Sequence, residues 1–456
     1  MTTYDLIVRD AMIFQAGRLL KADILVDGGR IAGITNDTSL ANATQSIHAE
    51  GKIVIPGLVD THAHLREPGY THKEDFETGT KAAAAGGVTM LVDMPNTEPP
   101  TNSVKTLEEK KALASGKASV DFGHFVFPSL GAAEGMASAG ASGFKVFMVR
   151  GAYPHDPRVC IEDHGLLLKT FREVRKTGLP CLVHPCDMQI FDAKSEDFWN
   201  IGRRDYEAFS EVYVDELIYE SSISSLLALA RETGVGLHLL HTHSVRAIDL
   251  IRKARQEGLN VSAQVDPKYF LLGRSDLDKI GPLAMPAGFF SRDRIDAVWK
   301  ALNDGTISVL ATDHAPHTEE EIAVARKDAW SAPFGSPQLE HYLSMMLTEV
   351  NKERITLNRL VQISCEEPSK LIGLYPKKGV IAVGSDADLT IIDLKAKRTI
   401  TSEHLYTKVG WSPYEDKEVQ GIPLYTILRG KVVMENAEVV VKPGYGKFTA
   451  PIKERM

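Results

Sequence analysis

The 456-residue sequence contains only four cysteines and carries no excess of basic residues. No two cysteines are spaced as C-x-x-C and they form no dense pattern, so reduced thiols are expected rather than a disulfide framework. The formal net charge of -8 leaves no basic surface to neutralise phosphates. These two shortages exclude a disulfide-stapled secreted domain and an ordinary nucleic-acid-binding protein.

A long apolar segment is also missing. The longest stretch of small and apolar residues, 82–94, is interrupted by Gly86-Gly87 and contains Asp93, so it is too short and too polar to span a membrane. The first residues, Met1 to Asp5, include neither a basic region nor an apolar run, and no signal peptide is predicted. We therefore expect a cytoplasmic protein with no membrane and no nucleic-acid partner.

Both ends of the chain are rich in residues that favour β-strands. Near the N-terminus, residues 6–8 and 24–26 predict short strands, and Asp27-Gly28-Gly29 predicts a hairpin turn. Near the C-terminus, residues 387–392 and 431–433 have the same character. Because chain termini often lie close together, residues 1–55 and 375–456 are predicted to form one small β-sandwich domain.

Between these ends, short apolar runs alternate with amphipathic segments, which is the pattern of parallel βα units. Eight runs predict a closed (β/α)8 barrel of the TIM type over residues 56–374. An open doubly wound sheet is the alternative, but no G-x-G-x-x-G follows the first run. The predicted strands are 54–62, 89–95, 121–127, 143–148, 180–184, 235–241, 260–265 and 308–313, and the predicted helices include 105–113, 165–176, 223–233 and 245–257.

Polar side chains at the ends of these runs predict a metal site. His62 and His64 are spaced i and i+2 at the end of the first run, so their imidazoles project to one face. Two imidazoles on one face suit a first-row divalent ion. Other residues at or within the carboxyl ends of runs, where barrel enzymes build their active sites, extend the set: Lys145, His184, His241 and Asp313.

Lys145 is the unusual member of this set, because it lies inside the apolar run Gly-Phe-Lys-Val-Phe-Met. Burial disfavours the ammonium form of a lysine and lowers its pKa. A neutral lysine amine can react with carbon dioxide to give a carbamate, an anion whose two oxygens can bridge two cations. N-carboxylation is therefore a chemical reason for a lysine among metal ligands.

The motifs around these residues closely resemble those of dihydroorotases, in the dihydroorotase, allantoinase and hydantoinase group of cyclic amidohydrolases. Asp60-Thr-His62-Ala-His64-Leu-Arg66-Glu-Pro-Gly69 is similar to the D-x-H-x-H-x-R-x-P-G signature of that family. The resemblance continues at Asp93-Met-Pro-Asn96-Thr97 and returns at Ala311-Thr-Asp313-His-Ala-Pro-His317. It covers nearly the whole chain, and the signature over residues 60–97 is specific.

The resemblance implies a hydrolase with two zinc ions per chain. Its metal ligands would be His62, His64, carbamylated Lys145 as the bridge, His184, His241 and Asp313. Asp313 would also be the catalytic residue, taking a proton from the attacking water and passing it to the leaving ring nitrogen. His238 and His243 are expected to have structural roles, because the family pattern places the ligand at His241.

The same resemblance implies a substrate. In dihydroorotases, residues matching Arg66, Asn96 and His317 hold the substrate carboxylate, for which a planar guanidinium is well suited. The backbone of Phe334-Gly335 resembles a segment that contacts the ring. These residues predict reversible opening of L-dihydroorotate to N-carbamoyl-L-aspartate, a step of pyrimidine biosynthesis.

Several segments depart from the dihydroorotase pattern. The usual N-P-P-L-R is replaced within Met285-Pro-Ala-Gly-Phe-Phe-Ser-Arg-Asp293, the usual C-P-H-Y-L reads Asp266-Pro-Lys268-Tyr-Phe, and Glu319-Glu-Glu321 stands where a basic residue often follows A-P-H. The segment from Gly143 to Arg150 looks more like hydantoinases. The alternative is therefore an allantoinase, a hydantoinase or dihydropyrimidinase, or another cyclic-imide hydrolase, with Lys268 and Arg150 selecting an anionic ring.

A non-catalytic scaffold is the third hypothesis, and the presence of all six ligand residues argues against it. The family resemblance also implies a homo-oligomer, either a dimer or a tetramer. The partner predicted for the chain is therefore a small cyclic amide together with copies of itself.

Overall fold

The computed structural model describes residues 3–39, 41–150, 157–287 and 290–452. Its strands are β1 (Thr3–Gln15), β2 (Arg18–Asp27), β3 (Arg30–Thr35), β4 (Asn42–His48), β5 (Ile53–Pro56), β6 (Leu58–Ala63), β7 (Val88–Asp93), β8 (Asp121–Val126), β9 (Gly143–Phe147), β10 (Cys181–His184), β11 (Leu237–Leu239), β12 (Val261–Val265), β13 (Val309–Leu310), β14 (Leu389–Thr399), β15 (Glu418–Leu428), β16 (Lys431–Glu435) and β17 (Glu438–Val439).

The α-helices are α1 (Phe76–Ala85), α2 (Val104–Ser115), α3 (Ala133–Ser138), α4 (His164–Thr177), α5 (Met188–Asn200), α6 (Tyr206–Tyr213), α7 (Glu216–Thr233), α8 (Val245–Gln256), α9 (Lys268–Leu271), α10 (Arg274–Ile280), α11 (Arg292–Asp304), α12 (Glu319–Ala323), α13 (Tyr342–Asn351), α14 (Leu357–Val361) and α15 (Glu367–Leu371). Among the described residues, no helix is long and apolar enough to cross a membrane.

Strands from both chain ends form one nine-stranded sheet, in the order β17-β16-β15-β14-β5-β1-β2-β3, with β4 paired to β1. Strand β5 joins the two halves, since it pairs in parallel with β1 and antiparallel with β14. Apolar residues from both halves, such as Leu6, Ile24 and Ile391, share one core. The two ends therefore build one β unit as predicted, while the exact domain boundaries stay a prediction.

Gly57 marks the passage from this sheet into the barrel. A Cβ atom at this position would lie 2.3 Å from Thr89 Oγ1, so only glycine lets the chain pass this close to β7. Strand β5 ends at Pro56 and β6 begins at Leu58. The single strand predicted over residues 54–62 is therefore two strands, which belong to different sheets.

The second sheet is an eight-stranded barrel whose strands β6 to β13 follow one another in chain order. Neighbouring strands are parallel, from β6 with β7 through to β12 with β13. Each of the eight predicted runs overlaps one of these strands, and the four named helices correspond to α2, α4, α7 and α8. The predicted fold class is confirmed.

Helix α4 illustrates why the segments between strands are helical. It begins after Asp163, whose side chain accepts a hydrogen bond from the backbone of the first turn. Leu167, Phe171 and Val174 are buried at the i, i+4, i+7 spacing of one helical face. The helix ends at Gly178, which has a left-handed φ of 72°. The amphipathic pattern read from the sequence is thus the face that packs on the barrel.

The barrel closes between β13 and β6 through the side chain of Asp60. Its Oδ1 accepts a hydrogen bond from His62 N at 2.8 Å, and its Oδ2 accepts one from Thr312 N at 3.0 Å. His64 N adds a backbone hydrogen bond of 2.7 Å to His314 O. Burial raises the pKa of Asp60 to about 7. The backbone that carries the first two candidate ligands is thereby fixed against the backbone that carries Asp313.

Candidate metal centre

Four histidine rings converge at the carboxyl end of the barrel. The centroid distances are 5.4 Å between His62 and His64, 5.2 Å between His62 and His241, and 4.3 Å between His184 and His241. All four side chains are buried. Histidines that are far apart in the sequence therefore share one site, as the strand-end pattern predicts.

The carboxylate of Asp313 lies among these rings. Its Oδ1 is 3.2 Å from Nε2 of His62 and 3.4 Å from Nε2 of His64. Within the described residues, three groups of potential ligands have their donor atoms within 4.8 Å of one another. One of them, Asp121 with Asp386 and Asp388, surrounds Lys378 away from these rings. The other two are His62, His64 and Asp313, and His241, Asp266 and Asp313. Asp313 belongs to both groups, so the donor set suits two neighbouring divalent cations that share this end of the barrel.

Lys145 completes the set from β9. Its side chain is 0% exposed, and its Nζ has no hydrogen-bond partner among the described residues. Burial lowers its pKa to about 7, and Nζ lies 4.3 Å from the centroid of the Phe147 ring. An ammonium group without a partner is costly to bury. A carbamate that binds cations would resolve this cost, so the orphaned nitrogen fits the predicted bridge.

The ring nitrogen of each histidine that faces away from the centre is held by another side chain. The contacts are His62 Nδ1 with Gln264 Nε2 at 2.8 Å, His64 Nδ1 with Asn96 Oδ1 at 2.8 Å, His241 Nδ1 with Asp266 Oδ2 at 2.5 Å, and His184 Nε2 with the Tyr213 hydroxyl at 2.9 Å. Such partners select the ring orientation of metal-binding histidines. In His64 and His241 the partner is an oxygen atom, so Nδ1 donates and Nε2 keeps its lone pair for a metal.

Three of these partners were not anticipated from the sequence: Gln264, Asp266 and Tyr213. Gln264 and Asp266 are spaced i and i+2 at the end of the seventh run, which is the same pattern that singles out His62 and His64. The sequence therefore contained a signal for Gln264 and Asp266, namely their i, i+2 spacing at a strand end. Tyr213 ends α6, outside the strands, and no strand-end pattern points to it.

Three site residues have a backbone in the left-handed region. The φ angles are 62° for Arg66, 52° for His241 and 48° for Asp313. For residues other than glycine this conformation costs on the order of 1–3 kcal/mol, and such residues cluster at functional sites. The strain falls where the chain leaves the barrel, at the points from which these side chains reach the centre.

Arg66 and His317 lie together beside the metal centre. Arg66 Nε donates to Pro316 O at 3.1 Å, and its Nη2 lies 2.9 Å from His317 Nε2. Lys73 Nζ lies 3.0 Å from His317 Nδ1 on the other side of the ring. Burial, with the neighbouring Arg66 cation, holds the pKa of His317 well below its usual value. Asn96, the third predicted carboxylate-binding residue, instead contacts His64.

The other predicted pocket residues lie at two different depths. Lys268 Nζ donates to Asp313 Oδ2 at 2.6 Å inside the centre. Arg150 lies at the rim, where it forms ion pairs with Glu162 and Asp192. At Gly335, φ is 141° and a Cβ atom would lie 2.4 Å from Ala315 O, so the close approach of these backbones requires glycine.

His238 and His243 lie outside both ligand groups. His238 Nδ1 is 2.7 Å from Ser262 Oγ, on the neighbouring strand. His243 packs against the Tyr219 ring, with a centroid distance of 4.2 Å, and its carbonyl accepts a hydrogen bond from Arg294. These contacts agree with the structural roles expected for both histidines.

A cavity of about 300 Å³ is lined by residues from the segments that follow β9, β10 and β13. We call it the aromatic cavity, because its lining includes Trp199, Phe209, Tyr213, Trp330 and Phe334. Tyr213, which contacts His184, connects this lining to the metal centre.

Residues 53–433 match the model of the Amidohydrolase family, and the chain belongs to this family. The prediction of a metal-dependent cyclic amidohydrolase is confirmed by this match together with the relatives that follow.

The chain is 35% identical over 457 residues to an L-hydantoinase of Paenarthrobacter aurescens, covering 98% of both proteins. It is also 35% identical over 441 residues to a dihydroorotase of Methanothermobacter thermautotrophicus, covering 94% of both. Among solved structures, an L-hydantoinase (dihydropyrimidinase) from Arthrobacter aurescens superposes with a TM-score of 0.93 at 34% identity, covering 98% of this chain and 100% of that one.

Proposed function

We propose that this protein is a hydantoinase of the dihydropyrimidinase type, which opens a substituted cyclic ureide by hydrolysing one ring amide bond. The observation that carries the proposal is the aromatic cavity, which adjoins the candidate metal centre through the contact between Tyr213 and His184. The similarity to L-hydantoinases supports this alternative better than the dihydroorotase activity that the signature residues favoured.

The lining of the cavity suits an apolar substituent better than a carboxylate. Six aromatic side chains line it, and aromatic walls bind flat apolar groups. The cations in the lining are compensated, since Arg150 pairs with Asp192 and Arg204 donates to Asp328 at 2.9 Å. Dihydroorotate carries a carboxylate on a small ring and would leave most of this surface uncovered.

Two divalent cations, expected to be zinc, fit the donor set described above. They would be held by His62, His64, N-carboxylated Lys145, His184, His241 and Asp313. When bound, such a pair polarises a carbonyl group and lowers the pKa of water to about 7, which supplies a nucleophile at neutral pH.

The chain itself supplies the group that moves the proton. Asp313 is proposed to accept the proton of the attacking water and to deliver it to the leaving ring nitrogen. Burial opposes ionisation of this carboxyl group, but the neighbouring Lys268 and His62 hold its pKa well below the usual value. The carboxyl group is therefore ionised at neutral pH, which is the form that can accept a proton.

Dihydroorotase remains the second candidate, because Arg66 and His317 lie buried side by side where a carboxylate would be bound. A cytoplasmic location and assembly into a dimer or tetramer, both expected from the sequence, belong to the same proposal.

A substrate panel on the zinc-loaded protein tests the proposal. We expect kcat/KM to be highest for a 5-aryl-substituted hydantoin and lower for unsubstituted hydantoin, dihydrouracil and allantoin, with L-dihydroorotate lowest. Asp313→Asn serves as the inactive control on every compound. A higher kcat/KM for L-dihydroorotate than for any hydantoin would reject the proposal in favour of dihydroorotase.

A further inference from the structure

Asp266 and Lys268 are separated by one proline at the end of β12 and reach two different ligands of the candidate metal centre. Both side chains are buried, with 0% and 2% exposed. They stand where the dihydroorotase pattern has cysteine and histidine. The substitution places an anion and a cation, two residues apart, beside the same pair of metal sites.

Asp266 acts on His241. Its Oδ2 lies 2.5 Å from His241 Nδ1, and its Oδ1 accepts a hydrogen bond from Gln264 Nε2 at 2.8 Å. Because both oxygens are engaged, the carboxylate is fixed in one rotamer. It therefore fixes the imidazole with Nε2 toward the centre and adds a negative charge behind it, which strengthens a histidine ligand.

Lys268 contacts Asp313 and is expected to weaken metal binding, whereas Asp266 strengthens it. Its Nζ donates to Asp313 Oδ2 at 2.6 Å, while Asp313 Oδ1 faces Nε2 of His62 at 3.2 Å. One oxygen of the shared carboxylate is thus occupied by an ammonium group, and the other faces the ligand set. The positive charge of the ammonium group, fixed beside the metal sites, also repels divalent cations, and the repulsion is strong in a buried site.

We propose that Asp266 and Lys268 are opposed positioning residues that set how tightly this protein holds its metal pair. Asp266 increases metal affinity through His241. Lys268 lowers metal affinity and restricts Asp313 to one metal-facing oxygen, which leaves the other oxygen free of metal. The inference rests on the proposed metal-dependent function and adds residues that the ligand set does not include.

Zinc affinity measured by competition with a chromophoric chelator tests the proposal without any assay of turnover. We expect Asp266→Asn to weaken zinc binding by about 10–100-fold, the effect typical of losing such a partner. Lys268→Met is expected to strengthen it by roughly ten-fold, because a buried cation beside the site has been removed. Lys268→Arg, which keeps the charge, should restore affinity close to that of the unchanged protein.

Lys417→Met is the matched control. Lys417 Nζ also lies 2.6 Å from an aspartate oxygen, Asp276 Oδ1, but outside the metal centre. The zinc affinity of the Lys417→Met variant should equal that of the unchanged protein. Lys268→Gln keeps the experiment decisive if Lys268→Met does not fold, and it must shift zinc affinity in the same direction.

Opposite shifts in the Asp266 and Lys268 variants support the proposal. Weaker zinc binding in both, or no change in either, would overturn it while leaving the proposed function intact. An unchanged protein that binds no zinc would instead overturn the metal-dependent function on which the inference rests.

Discussion

The side chain of Asn96 accepts a hydrogen bond from the imidazole of His64, with 2.8 Å between Asn96 Oδ1 and His64 Nδ1. This contact joins the loop after β7 to the end of β6. It gives Asn96 a contact that the sequence did not predict, with the ring of a candidate metal ligand, while the carboxylate-binding role of Asn96 stays a prediction.

Asn96→Ala is therefore expected to weaken metal binding by about 10–100-fold, because His64 loses the acceptor that orients it. Asn96→Asp keeps an acceptor oxygen and should retain the metal. Metal content after dialysis against a chelator distinguishes the variants. If Asn96 served only to bind a carboxylate, Asn96→Ala would raise KM for L-dihydroorotate and leave the metal content unchanged.

Lys145→Ala is expected to lose most of its activity, since the bridging anion is removed. Short carboxylic acids such as formate or acetate should restore part of it by supplying two oxygens in the same place, and they should not activate the unchanged protein. The measurement is kcat as a function of added acid. A fully active Lys145→Ala protein would refute the bridging role.

Trp330→Ala opens one wall of the aromatic cavity. We expect kcat/KM for a 5-aryl hydantoin to fall by roughly ten-fold, which corresponds to about 1.4 kcal/mol of lost packing. Unsubstituted hydantoin provides the internal control, because it has no group to place against Trp330. Equal losses on both compounds would mean that the cavity does not bind the substituent.

A buried ion network joins the barrel to the β unit. Lys378 Nζ lies 2.8 Å from Asp121 Oδ2 and 3.4 Å from Asp386, and it also contacts Asp388. Lys378→Met leaves these carboxylates without their shared cation, and we expect a loss of about 3–5 kcal/mol in the free energy of unfolding. Urea denaturation measures this loss, and a change below about 1 kcal/mol would contradict the assignment.

The same network makes a pH prediction. Although burial opposes ionisation, Lys378 and Arg429 hold the pKa of Asp121 below its usual value of 3.8. The unfolded chain then binds a proton at a higher pH than the folded one, so this stabilisation is present above pH 3.8 and is lost as the pH falls further. Acid unfolding of Asp121→Asn should show a weaker dependence on pH in that range than acid unfolding of the unchanged protein.

For Glu340 we expect the opposite dependence of folding stability on pH. Burial raises its pKa from 4.5 to about 7. The folded protein therefore keeps a proton that the unfolded chain loses, and stability contributed by this group decreases as the pH rises from 4.5 through 7. Glu340→Gln should remove that decrease. The Tm of the variant minus the Tm of the unchanged protein should therefore rise from pH 5 to pH 8. A difference that is constant with pH would contradict the raised pKa.

The barrel and the convergence of most candidate ligands at one end of it were predictable because both depend on local patterns. Apolar runs mark the strands, and the residues at their carboxyl ends must meet when the strands close into a barrel. The division at Gly57 was not predictable, because residues 53–59 carry no charged or polar side chain although they serve two sheets. It depends on how closely the backbone approaches Thr89, which only the assembled sheets determine.

The partners of the ligands were harder to predict. Gln264 meets His62 across 202 positions of sequence, and Lys268 meets Asp313 across 45. Each contact depends on side-chain direction and strand register together. The aromatic cavity is lined by residues from the segments that follow β9, β10 and β13, so no single motif describes it. For the same reason the choice between a hydantoin and dihydroorotate did not follow from the signature residues.

Metal content is the measurement that tests the central claim most directly. We expect protein produced with added zinc and then dialysed to contain about two metal ions per chain, as a binuclear centre requires. His62→Asn and His241→Asn, which alter different ligand groups, should each contain less. Fewer than about one metal per chain in the unchanged protein, with hydrolysis of a hydantoin unaffected, would contradict the account.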